Sequence, residues 1–214
     1  DMLLNARYED GSEMNESQLV DEILILFAAG HETTSNALTF TTELLARNPE
    51  AQLKILEEIS KIKSESDDIM NWIKNATYTK LVIEESMRLY PPAYFIDRVN
   101  SEEDVYEGMI LPKGSTLLFS VYEIHRHPNF WKNPEDFNPE RFQDENIKFS
   151  KNYYPFGAGP RMCIGNNFAM YEMILAIIAL VEQFEIVEKK DPIQIKPLIT
   201  LKPHNAILEF KNRK

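Results

Sequence analysis

Residues 156–165 read Phe156-Gly157-Ala158-Gly159-Pro160-Arg161-Met162-Cys163-Ile164-Gly165 and contain the single cysteine of a 214-residue chain. A lone cysteine is ordinarily a small buried hydrophobe, but the surroundings argue for chemistry. Two glycines free the backbone to turn tightly, and Gly165 opens an almost wholly apolar stretch to Phe184 that reads as a helix. Cys163 therefore stands at a predicted helix N-terminus, where the dipole and free N–H groups favour a thiolate. A haem iron held by thiolate needs such a place: an exposed loop, N–H donors to the sulfur and a cation for the propionates. Arg161 is such a cation. The glycines make no dinucleotide fingerprint, because Met162 stands where the third glycine would be.

The composition bounds the class of protein. With 43% hydrophobic and 27% charged residues the chain is globular, neither disordered nor fibrous. Its length allows one domain or two small ones, with room for a sizeable core. Lys plus Arg number 23 and Asp plus Glu 34, a net charge of −11, which argues against general nucleic-acid binding. One cysteine excludes an intrachain disulfide, so nothing points to an oxidising compartment. The longest apolar runs, 23–29 and 173–181, fall far short of the roughly 18 residues of a membrane span. No basic-then-apolar signal segment begins the chain. It starts at Asp1 rather than Met, from which a fragment or a processed product is expected.

Outward from the cysteine, the first half reads helical and the second is punctuated by most of the 12 prolines. Asn15 followed by Gln18 predicts a capped helix over about 16–47. Asn48-Pro49 restarts a helix, with Pro at its first position, to about Lys63. A polar stretch with a short helix follows to residue 76. Thr77 is expected to cap a third long helix that ends before Pro91-Pro92. Residues 95–120 read as short strands with turns at Gly108 and Lys113-Gly114. Residues 128–162 read as an irregular, Pro-rich loop, long enough to suggest function. Two or three short strands are expected after the apolar helix, with a turn near 203–205.

Three further segments carry polar residues in suggestive order. Ala28-Ala29-Gly30-His31-Glu32-Thr33-Thr34-Ser35 lies within the first long helix. Thr33 and Thr34 read plainly as slightly poor helix formers. However, Ala29 and Thr33 are four apart and share a face, and the small Ala29 and Gly30 leave room for a flat ligand. A threonine hydroxyl can bond the carbonyl four residues back and loosen the helix, and Glu32 beside it can relay protons. A zinc-protease reading fails, because Ser35 stands where the second histidine would be. Glu85-Ser86-Met87-Arg88, taken alone, reads as an i, i+3 surface bridge of little value. Phe137-Asn138-Pro139-Glu140-Arg141-Phe142 is equally weak alone. His125-Arg126-His127 invites a metal reading, but no further ligand cluster accompanies it.

Taken together and in this order, the four motifs resemble the cytochrome P450 superfamily. They are Ala-Gly-x-Glu-Thr-Thr (Ala29 to Thr34), Glu-x-x-Arg (Glu85, Arg88), Pro-Glu-Arg-Phe (Pro139 to Phe142) and Phe-x-x-Gly-x-Arg-x-Cys-x-Gly (Phe156 to Gly165). Each is modest, and the ordered set is very specific. The resemblance covers essentially all of residues 1–214, but only the C-terminal, haem-binding part of that family's domain, with the N-terminal part absent. It implies a mainly α fold with small β-sheets: a long central helix, a Glu-x-x-Arg helix, a cysteine loop and a following apolar helix.

The resemblance also implies roles. The cofactor would be haem b, with Cys163 its thiolate ligand, Arg161 and Arg98 its propionate contacts and Phe156 packed near the sulfur. Glu32 and Thr33 would be an acid–alcohol pair delivering protons to oxygen. Glu85, Arg88 and Arg141 would form a buried charge triad locking the cysteine loop to the third helix. Ala29 would lie against the haem and, with Ala93, Phe95 and Ile199, line the pocket above it. The implied activity is a monooxygenase that takes O2, an apolar organic substrate and electrons from NAD(P)H through a reductase of diflavin or ferredoxin type. The wording His31 to Ser35, with Lys202-Pro203, resembles diflavin-dependent members, many of which act on fatty acids. A haem-binding protein without turnover and an incompetent fragment are the competing readings. The expected location is the cytoplasm of a bacterium, with an N-terminal membrane anchor left open.

Overall fold

The computed structural model describes residues 2–148, 150–188, 191 and 193–213. After one short turn, α1 (Met2–Asn5), the Asn15 side chain accepts a hydrogen bond from the N–H of Gln18 and starts α2 (Glu16–Arg47). At about 1.5 Å per residue these 32 residues span roughly 48 Å. Pro49 opens α3 (Pro49–Glu65), where its missing N–H costs nothing. Asp68 caps the short α4 (Ile69–Asn75) through the N–H of Met70.

The next helix, α5 (Thr77–Leu89), begins differently from the sequence expectation. Ala76, not Thr77, occupies the cap position, and it has no side chain to cap with. The capping group comes from α3. The Glu58 carboxylate accepts the N–H groups of Tyr78 (2.5 Å) and Thr79 (2.9 Å) and the hydroxyls of Thr77 and Thr79. A carboxylate there meets both the unpaired N–H groups and the positive end of the dipole.

Among the described residues the β elements form four two-stranded antiparallel sheets. β1 (Phe95–Val99) pairs with β4 (Thr116–Ser120), around the hairpin β2 (Asp104–Tyr106) and β3 (Met109–Leu111). That hairpin turns through Glu107 and Gly108, both at positive φ (49° and 83°), as a tight two-residue turn demands. The chain continues through α6 (Val121–Ile124), a 3-10 turn at Pro139–Gln143, α7 (Glu145–Lys148), and a second 3-10 turn at Gly159–Arg161. The expected irregular loop thus carries three short helical turns. α8 (Asn166–Gln183) follows, one residue shorter at each end than expected, because Gly165 is the cap and Phe184 already belongs to a strand. β5 (Phe184–Glu188) pairs with β8 (Leu208–Asn212), and β6 (Gln194–Pro197) with β7 (Leu201–His204). Four strands therefore stand where two or three were expected. Pro203 lies within β7 and the turn falls at Asn205, at φ 54°.

The core lies among the C-terminal half of α2, α3, α5 and α8. Ala37, Leu45, Ile55, Ile59, Val82, Ile83, Ile174 and Ile177 meet there. Gln52 bridges the layers, its amide bonding the carbonyls of Leu45 and Ile186 and the N–H of Ile186. The N-terminal half of α2 is unlike its C-terminal half. Ile23, Leu24, Ile25, Leu26 and Phe27 are all exposed, Phe27 to 72%.

Candidate haem-binding site

The Glu85–Arg88 pair is not a surface bridge, since both side chains are wholly buried. All five N–H donors of Arg88 are used. Nε and Nη2 reach the two Glu85 oxygens (2.7 and 2.9 Å), Nη1 the carbonyls of His125 and Pro134, and Nη2 also the carbonyl of Asp136. Glu85 additionally accepts the N–H of Asn138 (2.9 Å) and Nε of Arg141 (3.0 Å). Arg141 continues to the carbonyls of Lys132, Asn133 and Asp136. These two guanidinium groups therefore satisfy the backbone of an irregular segment that has no ladder of its own. Glu85, Arg88 and Arg141 are brought together, and they tie α5 to residues 125–141.

The cysteine loop is built by glycine and by short backbone bonds. Gly157 and Gly159 sit at φ 74° and 70°, in the left-handed region that costs any other residue strain. The N–H of Gly157 reaches the carbonyl of Tyr154, and that of Cys163 reaches the carbonyl of Phe156 (2.9 Å). Phe156 packs against the main core. Cys163 is exposed and its thiol is free. Gly165 holds the cap position of α8 without a side-chain cap, so N–H groups of the first turn remain for the sulfur.

Arg161 is exposed, and among the described residues its guanidinium makes no hydrogen bond or ion pair. Arg98 is exposed on β1, where Nη1 donates to the carbonyl of Asp97. A Cβ built on Gly157 would come within 3.9 Å of Ile96 Cδ1. Ile96 and Arg98 are two apart and share a strand face, so Arg98 stands on the face that meets the cysteine loop.

On α2 the Thr33 hydroxyl donates to the carbonyl of Ala29 (2.6 Å), four residues back. Glu32 is not engaged with Thr33. Its Oε1 accepts the hydroxyl of Thr200 (3.0 Å), with Lys202 Nζ 3.7 Å away, and Thr200 in turn accepts from Asn36 Nδ2. The structure thus places Glu32 against the turn between β6 and β7, a contact across 168 positions that no local pattern reveals.

That turn carries Ile199, which is 90% exposed. Tyr94 donates its hydroxyl to the Leu198 carbonyl, and the N–H of Leu201 reaches the carbonyl of Pro92. Ala93, Phe95 and Ile199 are therefore held on neighbouring segments. Ala29, Ala93 and Phe95 are exposed too.

No local pattern marks His125 as a structural group. It is completely buried, and Nε2 accepts the N–H of Tyr154 (2.8 Å). Burial, helped by the neighbouring Arg88, pushes its pKa down to about 3, so the ring is neutral. Its place in the cluster with Trp131, Tyr153 and Phe142 explains why this histidine is not available as a metal ligand.

The sequence model of the cytochrome P450 family matches residues 1–210. The chain belongs to the cytochrome P450 family. It is 37% identical to cytochrome P450 9e2 of Blattella germanica over 96% of its own length and 40% of that protein's. It is 34% identical to taurochenodeoxycholic 6 alpha-hydroxylase of Sus scrofa over 97% of its length and 42% of that protein's. A crystal structure of a cytochrome P450, CYP102L1, superposes with a TM-score of 0.89 at 29% identity, covering all of this chain and 50% of that one. This P450 chain spans about 40% of the length of the curated relatives it matches. Members of the family carry haem b, and the residues present fit that group. They offer one free exposed thiol at an uncapped helix start, and two exposed arginines in a chain that is otherwise strongly acidic.

Proposed function

We propose that this chain is the C-terminal, haem-binding part of a monooxygenase that inserts one atom of O2 into an apolar or amphipathic organic substrate. The observation that carries this reading is the free Cys163 thiol, presented by a glycine-built loop at the open start of α8. Haem bound through this thiolate supplies the activation of O2, helped by the sulfur's electron donation. Arg161 and Arg98 would hold the propionates, and Phe156, through its carbonyl on the Cys163 N–H, fixes the loop that carries the sulfur. Thr33 Oγ1 holds a proton, directed at the Ala29 carbonyl until it is handed on. Glu32 is the proposed reservoir behind it, and it must release Thr200 and Lys202 to serve.

Ala29, Ala93, Phe95 and Ile199 supply only apolar surface, which favours a hydrophobic substrate tail. The pig relative is named taurochenodeoxycholic 6 alpha-hydroxylase, and a fatty acid, with its long apolar tail, is a substrate class that suits such a surface. Electrons would come from a reductase, of diflavin type by the wording of residues 31–35. The exposed run Ile23–Phe27 on α2 supports a further part of the domain covering that face.

The test is the carbon monoxide difference spectrum of the reduced, haem-loaded protein beside its Cys163→Ser variant. A red-shifted thiolate Soret band is expected in the first and not in the second. Hydroxylation by the Cys163→Ser protein would sink the assignment. Thr33→Ala should divert reductant into peroxide, and tight coupling in that variant would remove Thr33 from the proton path.

A further inference from the structure

We propose that His125 is a positioning residue for the cysteine loop, transmitting the geometry of the Glu85–Arg88–Arg141 triad to the sulfur; this rests on Cys163 being the iron ligand. His125 is bonded at both ends. Its own carbonyl accepts Nη1 of Arg88 at 2.8 Å, and its Nε2 accepts the N–H of Tyr154 at 2.8 Å. From Tyr154 the connection is purely backbone: its carbonyl accepts the N–H of Gly157 (3.0 Å), and the Phe156 carbonyl accepts the N–H of Cys163 (2.9 Å). Two hydrogen bonds and one rigid ring thus separate a saturated, buried guanidinium from the start of the loop.

The chemistry requires a neutral imidazole. Only that form leaves Nε2 unprotonated to accept an N–H. The surroundings enforce it. The ring is fully buried, lies tilted against Tyr153 (5.2 Å) and edge-on to Trp131 (6.3 Å), and faces the cations Arg88 and Arg126. Tyr153 adds a second clamp beside Tyr154, its hydroxyl donating to the Glu84 carbonyl (3.0 Å). The loop's glycines at positive φ make it turn, but they do not choose where it sits. The bond from His125 does, because it joins residue 154 to an element 29 positions away.

The test compares wild type, His125→Phe, His125→Gln and Trp131→Phe in the haem-loaded protein. Phe keeps the ring and loses the acceptor, whereas Gln supplies an acceptor oxygen. Trp131→Phe loosens the same aromatic cluster but leaves the bond to Tyr154 intact. Two quantities are read: amide hydrogen exchange at Tyr154, Gly157 and Cys163 relative to α5, and the share of haem showing the thiolate Soret band with carbon monoxide. His125→Phe should speed exchange at Tyr154 and Gly157 by at least about tenfold, the effect of losing one buried hydrogen bond, and should lower the thiolate share. His125→Gln should restore much of both, and Trp131→Phe should lower the melting temperature while moving neither. If His125→Phe lowers the melting temperature but leaves loop exchange and thiolate share as in wild type, the residue is merely structural and the proposal is overturned. Should His125→Phe fail to fold, the wild-type Tyr154 amide decides: exchange as fast as an exposed loop amide overturns the proposal, and protection like that of α5 supports it. A wild-type protein without a thiolate band would instead refute the reading of Cys163, and the exchange data would still judge His125.

Discussion

Replacing Arg88 by Met tests the energetics of the buried triad. The variant keeps the stem of the side chain and removes five N–H donors, all of them used. Removing one partner of a buried ion pair costs about 3–5 kcal/mol. Glu85 keeps Arg141 and the N–H of Asn138, which puts this contribution at the lower end. The Asp136 carbonyl keeps Arg141, and Pro134 is near enough to the surface for water. The His125 carbonyl is buried and loses its donor, which adds about 1–3 kcal/mol. The sum is about 4–6 kcal/mol, a large share of the roughly 5–15 kcal/mol that stabilises a domain. Urea unfolding measures it. With a slope of about 2–3 kcal/mol/M the midpoint should fall by about 2 M at unchanged slope. Arg88→Lys should recover less than half, because one ammonium cannot replace the planar fork. A loss below about 1.5 kcal/mol, or a Lys variant as stable as wild type, would refute the reasoning.

Three further outcomes follow from the same structure. Glu58→Ala removes the carboxylate that caps the start of α5 and should cost about 1–2 kcal/mol in urea unfolding; a neutral result would mean that water caps the helix equally well. Gly157→Ala meets no atom closer than 3.9 Å, so it should lose only the left-handed backbone cost of about 1–2 kcal/mol, and a larger loss would point to a steric role. His125 has a folded pKa of about 3 against 6.5 for the free side chain, so the unfolded chain binds the extra proton in that window. Its contribution is complete above pH 6.5 and is lost as pH falls toward 3, by at most about 5 kcal/mol. The acid slope of stability should therefore flatten in His125→Gln, and equal slopes in the two proteins would contradict this.

Much of the helical framework is legible in the sequence, because its signals are local. Asn15 caps α2 through an N–H three residues away, Pro49 marks the first position of α3, and α5 stops before Pro91-Pro92. The cysteine loop is legible for the same reason: its glycines, cation and thiol lie within ten consecutive residues. The start of α5 is not legible in the same way, because its cap comes from Glu58, on another helix. The C-terminus shows two or three strands in sequence and four in the structure, because β5 meets β8 across a gap of some twenty residues.

The sequence by itself determined which chemical groups the protein has and in what order: a thiol at a helix start, an alcohol four residues from an alanine carbonyl, a carboxylate three residues before a guanidinium. Only the tertiary structure decided what each of them meets. Glu85 and Arg88 are the same pair whether on a surface or in a core, and their worth changes with the water excluded around them. Glu32 turns to Thr200 and His125 to Tyr154 because folding brings those distant segments within hydrogen-bonding distance. Hydrogen bonds and ion pairs act over a few ångströms in space, and nothing in their spacing along the chain records that distance.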